Sequence, residues 1–599
     1  MAAFAALVVA TIAAFFITQH LKSSTPVIGP NVGPPEPFSD DGDGCRSSTK
    51  INFYLLHRSD SVSVFIVDSE GNVVQTIASG VEMHKPTAQN DKVRRAFRWN
   101  GKESDGQLAP DGSYYFRVAL AEQGRIVNLT QYPIAVDNVP PPLVVTGVTP
   151  SQLPAPSRAP ATVHFTGSDG RGGLLIIYRT GLTGPPKVVA ARRIPFSKPN
   201  PLHGYTKTWD GLVDGRPAPA GTYAMTLKVT DRACVTGTFP AYLPPQDGTT
   251  PHAGVTVSYL AAEPPLDPVA AGSIAVVTVD ARHRRYRWAL RGVGASRKPI
   301  EHGSGTSTNL RVRLPKRTAG LYELAIRAGG SRTVVPLVAH ASTGTHRILV
   351  VLPALTWQGE NPVDDNGDGF PDTLTAGGPI LLQRPFADGL PAGFGGEASL
   401  LAYVHREGLS YNLTTDVALS DGSGPTLGGH AGVVFAGPEV WLSAEVAPAL
   451  QRYVEQGGRV LTLGAGSLQR TVTIKQASAG LEALDPSSAA ATDILDTRPG
   501  PLVTHNTEAI VEISDGLGLF NGTSGTFSGF PSFEPIPALA PPARIVAEAG
   551  TTDQTPSIVG YRLGSGVVID IGLPAFTTSL AHDVDTQELL RRLWTILSQ

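Results

Sequence analysis

The chain has 599 residues, 41% of them hydrophobic, and a net charge of −3, so it is too long for one core, too apolar to be disordered, and should divide into about three to five domains. The near-neutral charge excludes bulk electrostatic capture of nucleic acid or of an anionic membrane surface. The 65 glycines and 51 prolines, with only 17% charged residues, point to turn-rich β-modules and away from a helical bundle.

Residues 1–22 open with an unbroken apolar run over 2–17, followed by Thr18, Gln19 and His20. A spanning helix needs about 20 residues. No basic residue precedes the run and no small-x-small cleavage site follows it. The expectation is an uncleaved signal anchor forming one transmembrane helix, with a cleaved signal peptide as the alternative. Residues 23–44 carry Pro26, Pro30, Pro34, Pro35 and Pro37, which makes an extended linker. These features predict a single-pass cell-membrane protein whose bulk is extracytoplasmic. Its partners are then the membrane, through the helix, and a cell-surface polymer or protein; nucleic acid is not among them.

An internal repeat follows. Residues 99–118 and 209–228 both begin with tryptophan, Trp99 and Trp209, followed by Asn100-Gly101 or Asp210-Gly211. A second Asp-Gly pair, then Pro110 or Pro219, Gly112 or Gly221, and Tyr114 or Tyr223 complete the pattern. Tryptophan plugs a sandwich, the Gly pairs make tight turns, and the tyrosine starts an alternating strand. The pattern resembles the Ig-like domain of the flagellar hook-capping protein FlgD, which implies two modules over 45–137 and 143–240 acting as spacers or binding units. Cys45 and Cys234 fall in different modules and form no CxxC pair, which excludes a cysteine-based zinc site. A long-range disulfide in an oxidising compartment and two buried thiols both remain open.

A third β-domain is expected over 252–342, ending in the turn Gly320-Leu321-Tyr322. The basic-aromatic stretch 282–288 inside it reads as a hairpin edge blunted by charge, with a polyanion or wall-polymer contact as the alternative.

From 346 to 599 the pattern changes to apolar strands alternating with helices. The runs 347–352, 409–413, 430–436, 459–463 and 564–571 are strands, and 398–407 and 586–597 are helices. Such alternation predicts a doubly wound, flavodoxin-like α/β sheet with sites at the carboxyl ends of its strands. The full expectation is therefore tandem Ig-like β-sandwich modules followed by an α/β head, behind an N-terminal transmembrane helix.

The segment Gly437-Pro438-Glu439-Val440-Trp441-Leu442-Ser443, with Arg384-Pro385-Phe386, Thr415-Asp416 and Gly457-Gly458-Arg459, resembles the C-terminal domain of the N,N-dimethylformamidase large (beta) subunit. The resemblance implies a class I amidotransferase-like fold in a family whose tyrosine and glutamate side chains hold a catalytic iron. Aligned on Gly437 and Ser443, that family's histidine, glutamate and tyrosine fall on Pro438, Val440 and Trp441. Glu439 takes the aspartate position. Iron is therefore not expected. A rearranged metal set through Glu439 and Glu360 is the remaining catalytic candidate. The amidotransferase nucleophile position offers only Ser467, with His582 as its base on paper, and Ser467 reads as a helix N-cap.

Between these landmarks, Asp364, Asn366, Asp368 and Asp372 occupy positions 1, 3, 5 and 9 of a D-x-N-x-D-G-x-x-D loop, with the Phe370 carbonyl at position 7. Hard oxygens at alternate positions, with Gly369 at position 6, suit a structural Ca²⁺ ion. Residues 39–47 are a degenerate copy. The functional expectation is an exported bacterial surface protein whose head serves in binding or structure. The alternative is a metal-dependent hydrolase acting on amide or related C–N bonds.

Overall fold

The two tryptophans of the repeat sit at equivalent places in two separate cores. In this computed structural model Trp99 is buried and its indole N–H donates to the Lys102 carbonyl at 2.8 Å, while Trp209 donates to Leu212 at 3.1 Å. Each ring packs 5.1 Å from a tyrosine, Tyr114 or Tyr223. Each tyrosine hydroxyl donates at 2.7 Å to the proline carbonyl four residues earlier, Pro110 or Pro219. The turns close identically, Ala109 N–H to Gly101 and Ala218 N–H to Gly211, both at 2.8 Å. Gly101 and Gly211 have φ of 83° and 71°, which a side chain would strain.

The structure describes residues 2–24, 28–32, 48–86, 95–153, 160–167, 172–181, 184–194, 204–243, 253–294, 298–316, 319–341, 346–387, 389–478 and 480–599. The degenerate acidic loop at 39–47, Cys45 and most of the Pro-rich linker lie outside them. Cys234 is disulfide-bonded.

The first module's core runs from Ile28 to Val136, and the second's from Leu143 to Val257. The second includes the strand Gly254–Val257, which pairs with Gly221–Thr230. The following β-domain packs a three-stranded sheet (Ala261–Glu263, Ile274–Asp280, Asn309–Arg313) against a five-stranded one. Its core is continuous with the head's: Leu321, Leu324 and Val335 share one apolar cluster with Val350, Leu400 and Leu413.

The head's main sheet has nine strands. Strands β1 (Ile348–Leu352), β2 (Asn412–Thr415), β3 (Gly432–Phe435), β4 (Arg459–Leu463) and β8 (Gly566–Ile571) run parallel in the order β2-β1-β3-β4-β8. Beyond β8 the sheet turns antiparallel through β7 (Pro556–Leu563), β6 (Ile545–Gly550) and β5 (Ile510–Asp515). A second sheet carries the short strand Trp441–Ser443, paired with Arg470–Ala477.

Two expectations are corrected here. The chain is 45% strand and 13% helix, far from the balance of a doubly wound α/β protein, so no flavodoxin-like fold is shown. Antiparallel strands over 470–563, a stretch in which the sequence pattern predicted no element, add to the strand content. The helix Ala2–Ser24 is not the expected transmembrane span: among the described residues no helix is long and apolar enough to cross a membrane. Its apolar run covers only 2–17, short of the about 20 residues that a spanning helix needs.

Truncating Trp209 to alanine is expected to cost the second module about 3–5 kcal/mol. Tyr223→Phe, which loses one hydrogen bond and no packing, is expected to cost about 1 kcal/mol. Urea unfolding of the two variants separates these outcomes, and equal effects would deny the tryptophan its central place.

Candidate functional site

The carboxyl ends of the head's parallel strands bring three buried acids together. Thr415 ends β2, and its hydroxyl accepts from the Ala418 N–H at 3.2 Å, starting a short helix. This sets Asp416 inward, where its carboxylate accepts from Leu355 N–H at 3.0 Å and from Val417 N–H at 2.8 Å. Burial nonetheless pushes Asp416 up to about 6, against those bonds.

Glu439 lies past the end of β3. It is fully buried, and neither carboxyl oxygen has a hydrogen-bond partner among the described residues. Burial first, then the nearby Asp416 carboxylate, raises it well above the usual range. Glu397 comes from the first turn of the helix Phe394–Arg406. Burial raises its carboxyl to about 8, its own backbone N–H and Trp357 opposing. Gly437 is pressed so closely on it that a Cβ there would lie 2.3 Å from Glu397 Oε1. At neutral pH Glu439 and Glu397 therefore hold their protons, and Asp416 keeps the backbone donors.

The cluster is sealed. Glu397 and Asp416 are each 1% exposed and Glu439 is 0% exposed. Trp441 is buried and pinned: its backbone N–H donates to Thr356 Oγ1 at 3.1 Å, and its indole N–H to Glu360 Oε1 at 2.9 Å. Arg470 stacks over its ring at 5.2 Å. Glu360, which also accepts from Thr375 at 2.7 Å, is therefore committed to Trp441, and no bond joins it to Glu439. Among the described residues no group of three or more His, Cys, Asp or Glu is arranged to hold a metal ion. A family-type iron does not fit here, because Glu439 and Glu397 hold their protons and the Asp416 carboxylate is taken up by backbone donors.

Ser467 is buried and donates to the Gly464 carbonyl at 3.1 Å while accepting from the Glu439 N–H at 3.3 Å. No helix follows it, so it is not the N-cap expected, and His582 is not among its partners. Asp416 and Glu397 were missed as site residues. The usable signal was position: each acid sits just beyond an apolar strand or inside the first turn of a helix, where side chains converge.

The loop 364–372 closes on itself. Asp364 accepts from Gly367 N–H at 2.6 Å and Gly369 N–H at 2.9 Å. Asn366 accepts from Asp368 N–H at 2.8 Å, and Asp368 from Phe370 N–H at 2.7 Å. Asp372 accepts from Asp365 N–H at 2.6 Å. Burial raises Asp364 to about 6, with the Asp368 and Asp372 charges adding to it.

The loop also fastens the head to the second Ig-like module. On the head side, buried Arg384 pairs with Asp365 at 2.6 Å and donates to the carbonyls of Gln358, Asn361 and Asp372. On the module side, Gly254 N–H donates to the Gly367 carbonyl at 2.9 Å, and Thr180 donates to Gly369. A Cβ on Gly254 would lie 2.0 Å from the Gly369 nitrogen.

Comparison with known proteins agrees with both resemblances. Residues 302–487 match the family "N,N-dimethylformamidase beta subunit-like, C-terminal", and residues 39–124 match the FlgD Ig-like domain. Among curated proteins, the C5a peptidase of Streptococcus pyogenes is 29% identical over 118 residues, 18% of this chain and 10% of that protein. The chain thus spans about a tenth of the length of the curated relatives it matches. Among solved structures, the exo-beta-1,4-mannosidase Op5Man5 from Opitutaceae bacterium strain TAV5 is 13% identical, covering 43% of this chain and 36% of that one with a TM-score of 0.25. A marsupial T cell receptor is 10% identical over 52% of this chain and 98% of its own, with a TM-score of 0.22.

Two predictions follow from this geometry. Glu397 binds its proton more tightly folded than unfolded, so its contribution is fully present below about pH 4.5 and is lost as pH rises to about 8. The melting temperature is expected to fall by several degrees across that window, and Glu397→Gln to flatten the fall; an unchanged pH slope in the variant would remove the acid from this role. Gly254→Ala is expected to force the loop off the module and expose 362–373 to limited proteolysis. An unaltered digestion pattern would show that the loop does not depend on that contact.

Proposed function

We propose that this is an exported, modular surface protein in which Ig-like modules carry a dimethylformamidase-like head that acts in binding or structure and not in catalysis. The observation that carries the reading is Glu439, the one acid left in the family's signature segment. It lies fully buried, and its carboxyl oxygens have no donor among the described residues. A catalytic group needs a cavity in which substrate can reach it. The disulfide at Cys234 supports an oxidising, extracytoplasmic setting. The expected partners are a cell-surface polymer or a protein.

The reading extends to Ca²⁺ at Asp364, Asn366, Asp368, the Phe370 carbonyl and Asp372. These acids repel one another at partly buried positions, and a divalent cation would relieve that repulsion.

The rival reading, a metal-dependent hydrolase on amide or related C–N bonds, draws on the convergence of Asp416, Glu397 and Glu439. Elemental analysis of the purified chain decides between them. The expected result is no stoichiometric iron or zinc, together with a melting temperature that rises by several degrees in millimolar Ca²⁺ and falls back in EDTA. Stoichiometric iron or zinc that disappears in Glu439→Ala would overturn the non-catalytic reading. A melting temperature indifferent to Ca²⁺ and EDTA would leave the loop as a hydrogen-bonded fastening only.

A further inference from the structure

A cavity of about 270 Å³ lies where the second Ig-like module, the third β-domain and the 362–387 segment of the head meet. Strand register builds its walls. On the module, Gln152 stands opposite Thr256, and Thr256 opposite Thr222, across three paired strands. On the β-domain, Glu263 stands opposite Thr278. The head contributes an apolar wall from Phe386 and two prolines.

Arg282 lies at the rim in a left-handed conformation, φ 53°, uncommon for a residue with a side chain. Its backbone N–H bonds Asp280 at 3.0 Å, and its guanidinium pairs with the other oxygen of the same carboxylate at 3.0 Å. The guanidinium also reaches Gln152 Oε1 at 3.4 Å, while its Nε is buried with no partner among the described residues.

The charges in this cavity are nearly spent before any ligand arrives. Asp280 is neutralised by Arg282, and Asp364 is folded onto the Gly367 and Gly369 amides. Glu263 is the acid left facing the space, and burial is the one influence on its carboxyl, raising it. No strong field of either sign selects an ion. What remains is a mixed array: an acceptor at Glu263 and groups that both donate and accept at Gln152, Thr256 and Thr278. The volume is below the roughly 300–1,000 Å³ typical of drug-sized ligands.

We propose that this cavity binds one neutral sugar unit. A sugar's hydroxyls each donate and accept, which matches side chains of both kinds on two facing walls. Its C–H face suits the apolar wall at Phe386. The inference is independent of whether the head is catalytic, since the cavity contains none of Asp416, Glu397 and Glu439.

Saturation-transfer NMR and calorimetry on the full chain test it, with glucose, galactose, mannose and N-acetylglucosamine supplied singly and with spermidine and citrate as charged probes. The expected result is millimolar binding of at least one sugar and of neither charged probe. Glu263→Gln is expected to weaken that binding about tenfold. Thr278→Val, at an exposed position where folding is not at stake, should weaken it severalfold, and Glu439→Gln should leave it unchanged. The proposal is overturned if no sugar binds, if spermidine or citrate binds in its place, or if both cavity variants bind the sugar as tightly as the natural chain.

Discussion

Backbone packs directly on backbone at Gly254 and Gly369, and neither position has room for a methyl group. This contact fixes how the second module meets the head. It brings Gly254 N–H onto the Gly367 carbonyl and the Thr180 hydroxyl onto Gly369, so the loop 364–372 becomes the fastening between two cores that are otherwise separate. The two terminal nitrogens of the Arg384 guanidinium complete it from the other side, pairing with Asp365 and with the carbonyls of Gln358, Asn361 and Asp372. An arginine so enclosed is tolerated because its charge is paired with Asp365 and both terminal nitrogens are bonded. The cavity at the three-domain junction exists because this fastening holds Pro362 and Phe386 over the strands of the module and the β-domain.

The carboxyl edge of the head obeys the opposite arithmetic. Burying an ionised carboxylate without donors is prohibitively costly, and a protein answers by keeping the proton. Asp416 has backbone donors and stays close to the neutral range, whereas Glu439 has none and is pushed far higher. Glu439 and Glu397 thus hold their protons inside a buried cluster while Asp416 is served by backbone donors, which gives the head's stability a pH dependence.

The repeat was readable because its residues act locally. Trp99 and Trp209 bond carbonyls three residues on, Tyr114 and Tyr223 bond prolines four residues back, and spacing alone specifies such contacts. The acid cluster was only half readable. Glu439 stood out by its place in a recognisable segment, but Asp416 and Glu397 join it through strand order and helix docking, which no local pattern encodes. The same holds for the fastening loop, where the sequence displayed the acids and concealed that Gly369 faces Gly254, over a hundred residues away. The α/β expectation overreached because parallel strands such as Ile348–Leu352 are continuous apolar runs, while the antiparallel strands Arg470–Ala477, Ile510–Asp515 and Ile545–Gly550 mix polar with apolar residues and left no comparable signal. The N-terminal helix was overread for a simpler reason: its apolar run stops at Ile17, short of the about 20 residues that a spanning helix needs.

A scaffold can keep its shape while its chemistry is replaced, because the residues that fix the fold and those that perform a reaction meet different demands. The signature segment illustrates this at neighbouring positions. The tryptophan at 441 brings a large ring and one donor; the ring is buried against the core, and the donor is satisfied by Glu360 at 2.9 Å. That pairing withdraws Glu360 from any site shared with Glu439. Pro438 carries no donor and packs against Gly464, whose Cβ would lie 2.8 Å from the proline ring. Glu439 is fully buried with no donor among the described residues, and burial together with the neighbouring Asp416 keeps its proton in place. The cavity at the junction with the modules lies apart from this cluster, since its lining includes none of Asp416, Glu397 and Glu439.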